Sequence, residues 1–185
     1  MHTLARILVG TLWLAGCGTD LVTSGYPGTP NASSDSATIM YQNATCVPGA
    51  GCTCADNAAC KVDCGTNQSC TVNCDKATTC EVAGRAGTGV NCQDAASCAV
   101  NCGAGCLVNC AKTTQSCVAK VGASGGVNCQ DANACKVACD GNCLVNCENA
   151  KSCEIACKAG ASCMVNCGSR GASTCSDGRT VCGGC

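Results

Sequence analysis

The unit C-x-V-x-C recurs along most of the chain and constrains its fold more than any other feature. Its most regular copies lie in two 22-residue segments, residues 89–110 and 126–147, which are identical at 15 of 22 positions. In each unit the apolar residues occupy positions i, i+2 and i+4, which is the period of a β-strand and not of a helix. Valine is β-branched and favours strands further. The repeat therefore predicts short strands with Cys, Val and Cys pointing inward.

The spacing of the units predicts how these strands are arranged. Their central apolar residues, among them Val100, Val108 and Val118, follow one another in steps of 8 to 10. The intervening segments are small and polar, as tight turns require. A short unit that cannot bury one face alone must stack on its neighbours. We therefore expect an all-β fold, a small disulfide-rich β-solenoid with coils of about 18–20 residues.

Composition indicates that cysteine holds such a stack together. The 185 residues include 27 Cys and 23 Gly, no Phe, and Trp13 as the only tryptophan. A core of large apolar side chains is therefore excluded, and a cysteine fraction this high in a short exported chain is typical of a disulfide scaffold. The net charge of −1, without a basic run, does not favour nucleic acid as a partner.

Strand geometry limits which cysteines can pair. Cys60 and Cys64 are four residues apart on one strand, so their Cα atoms lie about 13 Å apart, beyond the reach of a disulfide. Bridges across the turns remain, and vertical bridges between stacked coils are also permitted. The favoured across-turn pairs are Cys64–Cys70, Cys74–Cys80, Cys92–Cys98, Cys129–Cys135 and Cys147–Cys153.

The N-terminal segment MHTLARILVGTLWLAGC predicts export. A short start with Arg6 precedes an apolar run and the small residues before Cys17. It resembles the signal peptides of bacterial lipoproteins, whose lipobox ends L-A-G-C. The resemblance implies cleavage after residue 16 and lipidation of Cys17, which anchors the protein in a membrane. Gly18 stands where an aspartate commonly signals inner-membrane retention in that family, so the resemblance implies a bacterial outer-membrane or cell-surface location.

Three segments are therefore expected. Residues 1–16 form the signal peptide, residues 17–45 a lipid anchor and flexible tether, and residues 46–185 the cysteine-rich solenoid. The tether is rich in Gly, Ser, Thr, Asn and Pro and has no apolar period. Cleavage removes His2, the only histidine, and leaves 26 cysteines besides Cys17, which is an even number.

No pattern in the chain indicates an enzyme. Without a histidine in the mature chain, Ser-His-Asp and Cys-His catalysis are impossible, and Asp94 and Asp131 are explained as turn residues. Two spacings, Cys52-Thr53-Cys54 and Cys182-Gly183-Gly184-Cys185, are typical of thiolate sites. A thiol-based metal-binding or redox module is therefore the alternative, although no metal site or cofactor is assigned.

An outward column of asparagines is the candidate binding face, represented by Asn101, Asn109, Asn128 and Asn146. The body resembles the cysteine-braced solenoids of insect antifreeze proteins, which implies ice binding as a second alternative. That family's ice face needs a regular T-x-T array, whereas the outward positions here offer Thr71 and little else. The whole layout also resembles cysteine-rich repeat lipoproteins of Gram-negative bacteria. We expect a non-enzymatic structural or adhesive lipoprotein of the cell envelope, whose protein or glycan partner is unknown.

Overall fold

The computed structural model describes residues 40–47, 51–66 and 69–185. The predicted signal peptide, Cys17 and the tether as far as residue 39 lie outside these ranges. In the described part, β-strands form nearly all of the regular structure. In chain order they are Met40–Gln42 (β1), Ala44–Val47 (β2), Gly51–Cys54 (β3), Ala59–Asp63 (β4), Thr71–Asn73 (β5), Thr79–Ala83 (β6), Gly89–Asn91 (β7), Ser97–Cys102 (β8), Leu107–Asn109 (β9), Ser116–Val121 (β10), Gly125–Asn128 (β11), Ala134–Cys139 (β12), Cys143–Asn146 (β13), Ser152–Cys157 (β14), Cys163–Asn166 (β15), Ala172–Thr174 (β16) and Thr180–Cys182 (β17). A single 3₁₀ turn, Gly168–Arg170, follows β15.

The strands alternate between two sheets, and this alternation makes the solenoid that the repeat predicted. Sheet A has the order β1-β4-β6-β8-β10-β12-β14-β17-β16, and sheet B has the order β15-β13-β11-β9-β7-β5-β3-β2. From β4 to β15, each coil contributes one strand to each sheet, and neighbouring coils pair in parallel. Six coils are stacked in this way. Their central buried residues are 18 to 20 positions apart, for example Val62 and Val82 in sheet A and Val72 and Val90 in sheet B.

The ends of the stack pair in the opposite sense. At one end β1 is antiparallel to β4 and β2 is antiparallel to β3, and at the other end β17 is antiparallel to β14. Met40–Gln42 and the start of β2 belong to the segment predicted as tether, so strand pairing begins before residue 46. Pairing at these positions covers part of the first coil, which would otherwise present an open edge of sheet A.

The core between the sheets consists of cysteine, valine and alanine, with Ile155 its one isoleucine. The inward Cys, Val, Cys face of each strand is confirmed by the alternating burial of strands such as β8. One register prediction is wrong. Val118 is 49% exposed, and Ala119 takes the inner position instead, aligned with Val100 and Val137. The bridged cysteines of the preceding turn, Cys110 and Cys117, are seven positions apart, whereas those of the equivalent turn in the next coil, Cys129 and Cys135, are six apart. The extra residue shifts the strand by one position.

Disulfides close the corners of the coils. All five across-turn pairs favoured from the sequence are bridged, with Cα–Cα distances of 6.0 to 6.2 Å. The other bridges with both partners described are Cys54–Cys60, Cys102–Cys106, Cys110–Cys117, Cys139–Cys143, Cys157–Cys163, Cys167–Cys182 and Cys175–Cys185. Cys52 is disulfide-bonded as well. Sulfur atoms of neighbouring coils approach within 4.8 Å, so the bridges form columns along the stack.

At two corners, where the chain passes from sheet A to sheet B, a small and a larger residue replace the bridge. Gly84 and Thr88 occupy the positions that correspond to Cys102 and Cys106 one coil further on. An ideal Cβ on Gly84 would lie 2.6 Å from the Thr88 side chain, which is fully buried. Val121 and Gly125 repeat this arrangement two coils later, where a Cβ on Gly125 would lie 2.8 Å from the Val121 Cβ. The larger side chain therefore fills the volume that two sulfur atoms fill elsewhere.

This equivalence predicts that a further bridge can be installed. The double substitution Gly84→Cys with Thr88→Cys should form a disulfide and stabilise the fold by a net amount of about 1 kcal/mol. The closed loop contributes about 2 kcal/mol, and loss of the hydrogen bond from the Arg85 N–H to Thr88 Oγ1, 2.9 Å long, costs about 1 kcal/mol. Denaturant unfolding of the oxidised protein measures the gain. Gly84→Cys alone is the control and should destabilise, because its side chain collides with Thr88. Two unpaired thiols in the double variant would contradict the equivalence.

Candidate binding surface

Six asparagines form one ladder along the outer face of sheet B. The Nδ2 of every asparagine after the first donates to the Oδ1 of the asparagine in the preceding coil, at 2.9 to 3.0 Å. Identical amides at the spacing of stacked strands are well placed to bond in this way. The ladder consists of Asn73, Asn91, Asn109, Asn128, Asn146 and Asn166.

The same asparagines also start the turns that lead back to sheet A. Each Oδ1 also accepts a hydrogen bond from the backbone N–H two residues further on, at 3.1 to 3.4 Å. In each of the first five of these turns the third residue after the asparagine is left-handed, with φ between 55° and 60°. Side-chain bonding of this kind is what makes asparagine a turn-former. Ladder formation and turn geometry therefore account for Asn109, Asn128 and Asn146 without a ligand.

Asn101 does not belong to this face. It lies on β8 in sheet A, where its register partners are Ala83 and Lys120. The four asparagines predicted as one face are therefore divided between opposite sides of the solenoid. The local sequence V-N-C is the same at Asn101 and Asn109, but successive strands belong to different sheets. When the sequence is aligned at the full coil spacing of 18 to 20 residues, Asn101 falls in the sheet A column and Asn109 in the sheet B column. Alignment at the half-coil spacing of 8 to 10 residues merges the two.

The outer face of sheet A is charged. Exposed ion pairs connect Lys61 with Glu81 at 3.5 Å and Lys120 with Asp140 at 3.2 Å. Glu154 also pairs with Arg179 at 2.8 Å, which links the C-terminal segment to this face. Hydrogen bonds from the backbone N–H and the guanidinium of Arg179 lower the pKa of the Asp177 carboxyl. Exposed pairs of this kind contribute little to stability because water and salt screen them. They therefore give this face its charged character without holding the fold together.

The outer face of sheet B is instead uncharged, and it is largely apolar beside the ladder. Beside the asparagine ladder runs a second outward column, here called the outer column. It contains Thr71, Gly89, Leu107, Gly126, Leu144 and Met164. Leu107, Leu144 and Met164 are 64%, 58% and 66% exposed. A shallow depression of about 1090 Å³ extends over this column and the ladder. The sequence prediction did not include this surface, although alignment at the coil spacing brings its six residues together.

The candidates for chemistry are separated by the fold. Asp94 and Asp131 are both left-handed turn residues, with φ of 55° and 57°, and the coil between them places Lys112 at the equivalent position. They therefore do not form a carboxylate pair. Among the described cysteines, Cys182 pairs with Cys167 and Cys185 pairs with Cys175, so the terminal C-x-x-C is divided between two bridges and is not one dithiol.

Two buried side-chain oxygens, Asp75 Oδ1 and Thr113 Oγ1, have no hydrogen-bond partner among the described residues. Thr113 is 1% exposed, and its hydroxyl lacks a hydrogen-bond partner among the described residues. The equivalent residues of four other coils are alanines, such as Ala95 and Ala132. At 1% exposure the Thr113 side chain is not accessible from the surface. It therefore does not qualify as a ligand site, and the outer column remains the candidate binding surface.

Comparison of the chain with protein-family models, with curated proteins and with solved structures gave no match.

Proposed function

We propose that this protein is a non-enzymatic, surface-anchored lipoprotein of the bacterial cell envelope, in which the solenoid serves as a rigid structural or adhesive element. The observation that carries the proposal is the pairing of the cysteines. Twelve bridges have both partners in the described part of the chain, and Cys52 is bonded too. Disulfides persist in compartments outside the reducing cytoplasm, which agrees with export through a lipoprotein signal.

The arrangement of the solenoid supports a structural role. Six coils at a strand spacing of about 4.8 Å make a stack roughly 25 Å long, and covalent bonds close most of its corners. In the described residues there is no helix of the length and hydropathy needed to cross a bilayer. The proposed attachment is through Cys17, and two or three acyl chains there would hold the protein stably at the membrane.

Substitution of Cys17 tests the anchor. The wild-type chain should partition into the detergent phase after membrane extraction, and its N-terminal peptide should carry the mass of the acyl chains. Cys17→Ser should remove the acyl mass and leave an uncleaved precursor, because the lipobox cysteine is both the cleavage mark and the attachment point. A wild-type N-terminal peptide without acyl groups would reject the lipoprotein assignment. Protease treatment of intact cells then tests the surface location.

Thiol titration separates the proposal from a thiol-based metal or redox module. The native protein should bind almost no maleimide before reduction and should label at its cysteines after reduction and unfolding. Free thiols in protein isolated from its own membrane, or zinc or copper bound to it, would favour the thiol module instead.

A further inference from the structure

We infer that the outer face of sheet B is a self-association surface, and that its partner is a second copy of this chain related by a two-fold axis. The axis lies in the interface, parallel to the strands, midway between Leu107 and Gly126. The inference goes beyond the proposed function, because pairing through this face does not require a membrane anchor.

The order of large and small residues in the outer column carries the inference. Along the stack the six positions read Thr71, Gly89, Leu107, Gly126, Leu144 and Met164. A two-fold axis of this orientation reverses the stack, so the first position faces the sixth, the second faces the fifth and the third faces the fourth. The facing pairs are then Thr71 with Met164, Gly89 with Leu144, and Leu107 with Gly126. Each large side chain thus faces a smaller residue, and the two faces interlock.

The glycines of this column are not required by the chain's own fold. Gly89 and Gly126 have ordinary strand backbone angles, and no described atom lies within 4 Å of the position that a Cβ on Gly89 would occupy. For Gly126 the nearest atom is the end of the flexible Leu107 side chain, at 3.1 Å. Glycine weakens a strand, and in a strand it often marks a place where another group approaches closely. At both positions the space left open is the space that a leucine of the second copy would fill.

Charge at the edge of the face agrees with the same axis. The left-handed turn residues beside the ladder form a row, in which Lys112 of one copy is level with Asp131 of the other, and this pairing occurs twice by symmetry. In the same row Asp94 is level with Asn149. No like charges are opposed among these described turn residues. A face with this pattern attracts its own copy and does not repel it.

The size of the face indicates a weak dimer. The six strands of sheet B that carry the outer column, spaced by about 4.8 Å and each presenting about 10 Å of its length, cover roughly 300 Å² per copy. The total of roughly 600 Å² lies below the 1,200 Å² of stable interfaces. Association is therefore expected mainly where the protein is concentrated, and covalent trapping is the appropriate measurement.

Photo-crosslinking of the full, oxidised chain tests the two-fold arrangement. With benzoylphenylalanine in place of Met164, illumination should give a dimer whose crosslinked peptide, after reduction, contains Thr71. A crosslink to another part of the chain, to residues 1–39 or to a different protein would overturn the inference, as would the absence of a dimer at millimolar concentration.

A second experiment exchanges the two residues of one facing pair, Gly89 and Leu144. Gly89→Leu places a leucine opposite Leu144 and should lower the crosslinking yield about tenfold, the change that 1.4 kcal/mol produces. Gly89→Leu combined with Leu144→Gly reverses which copy supplies the leucine and should restore most of the yield. Ala99→Leu adds the same side chain to the exposed face of sheet A and should leave the yield unchanged. Melting curves show that each variant is folded, and failure of the exchange to restore the yield would reject the interlocking pattern.

Discussion

Reduction of the disulfides should unfold the solenoid completely at room temperature. Ten of the twelve described bridges join cysteines four to seven positions apart. Each such loop contributes about 2 kcal/mol by loop-closure entropy, so these ten amount to roughly 20 kcal/mol if they add. That exceeds the 5 to 15 kcal/mol of net stability that a domain usually has. The core offers little to replace it, because its side chains are cysteine, valine and alanine with Ile155. We expect the β-sheet signal in far-UV circular dichroism to be lost on reduction.

The comparison for this experiment is the oxidised protein in the same buffer with the reductant omitted. The oxidised form should retain its sheet signal on heating well beyond the temperature at which the reduced form has lost it. Alkylation of the reduced thiols prevents re-oxidation during the measurement. A reduced and alkylated chain that kept its sheet signal would mean that backbone hydrogen bonding and valine packing suffice to hold the stack.

Removal of one amide from the middle of the asparagine ladder should also destabilise the fold strongly. Asn109 donates to Asn91 at 2.9 Å and accepts from Asn128 at 3.0 Å and from the Ala111 N–H at 3.3 Å. Asn109→Ala leaves the half-buried Asn128 Nδ2 and Ala111 N–H without these acceptors, and it removes one of the two hydrogen bonds that Asn91 Oδ1 accepts. We expect a loss of about 2 kcal/mol in the free energy of unfolding, measured by denaturant titration of the oxidised protein.

Asn101→Ala is the matched control for that substitution. Asn101 has the same local sequence, V-N-C, but lies exposed on sheet A. Surface substitutions of this kind usually change stability by no more than about 0.5 kcal/mol. Equal losses in the two variants would show that the ladder adds nothing beyond the intrinsic preference of the strand or turn for asparagine.

The local part of the fold was accessible from the sequence because its signals are short-range. Alternation in C-x-V-x-C determines which side of each strand is buried, and the polar turns determine where the chain reverses. Strand rise excludes pairing of Cys60 with Cys64, and the six-residue separation of Cys64 and Cys70 is well suited to a bridge across a turn. These arguments use distances within about ten residues, where the chain has few conformations to choose from.

Predictions failed where the outcome depended on register between coils. Val118 was expected inside as the central apolar residue of its unit, but one extra residue in the preceding turn shifts the strand and places Ala119 inward. Asn101 was grouped with Asn109 because both follow a valine and precede a cysteine. The turn between them moves the chain to the other sheet, so the two side chains point away from each other. The outer column was missed for the same reason.

The strand period, the inward cysteines, the turns and the oxidised character of this chain are properties of its sequence, since each follows from neighbours along the chain. The division into two sheets, the asparagine ladder and the alternation of glycine with leucine in the outer column arise only when coils are stacked. Residues 18 to 20 positions apart then come within one strand spacing of each other, and a side chain's neighbours are set by the coils above and below it.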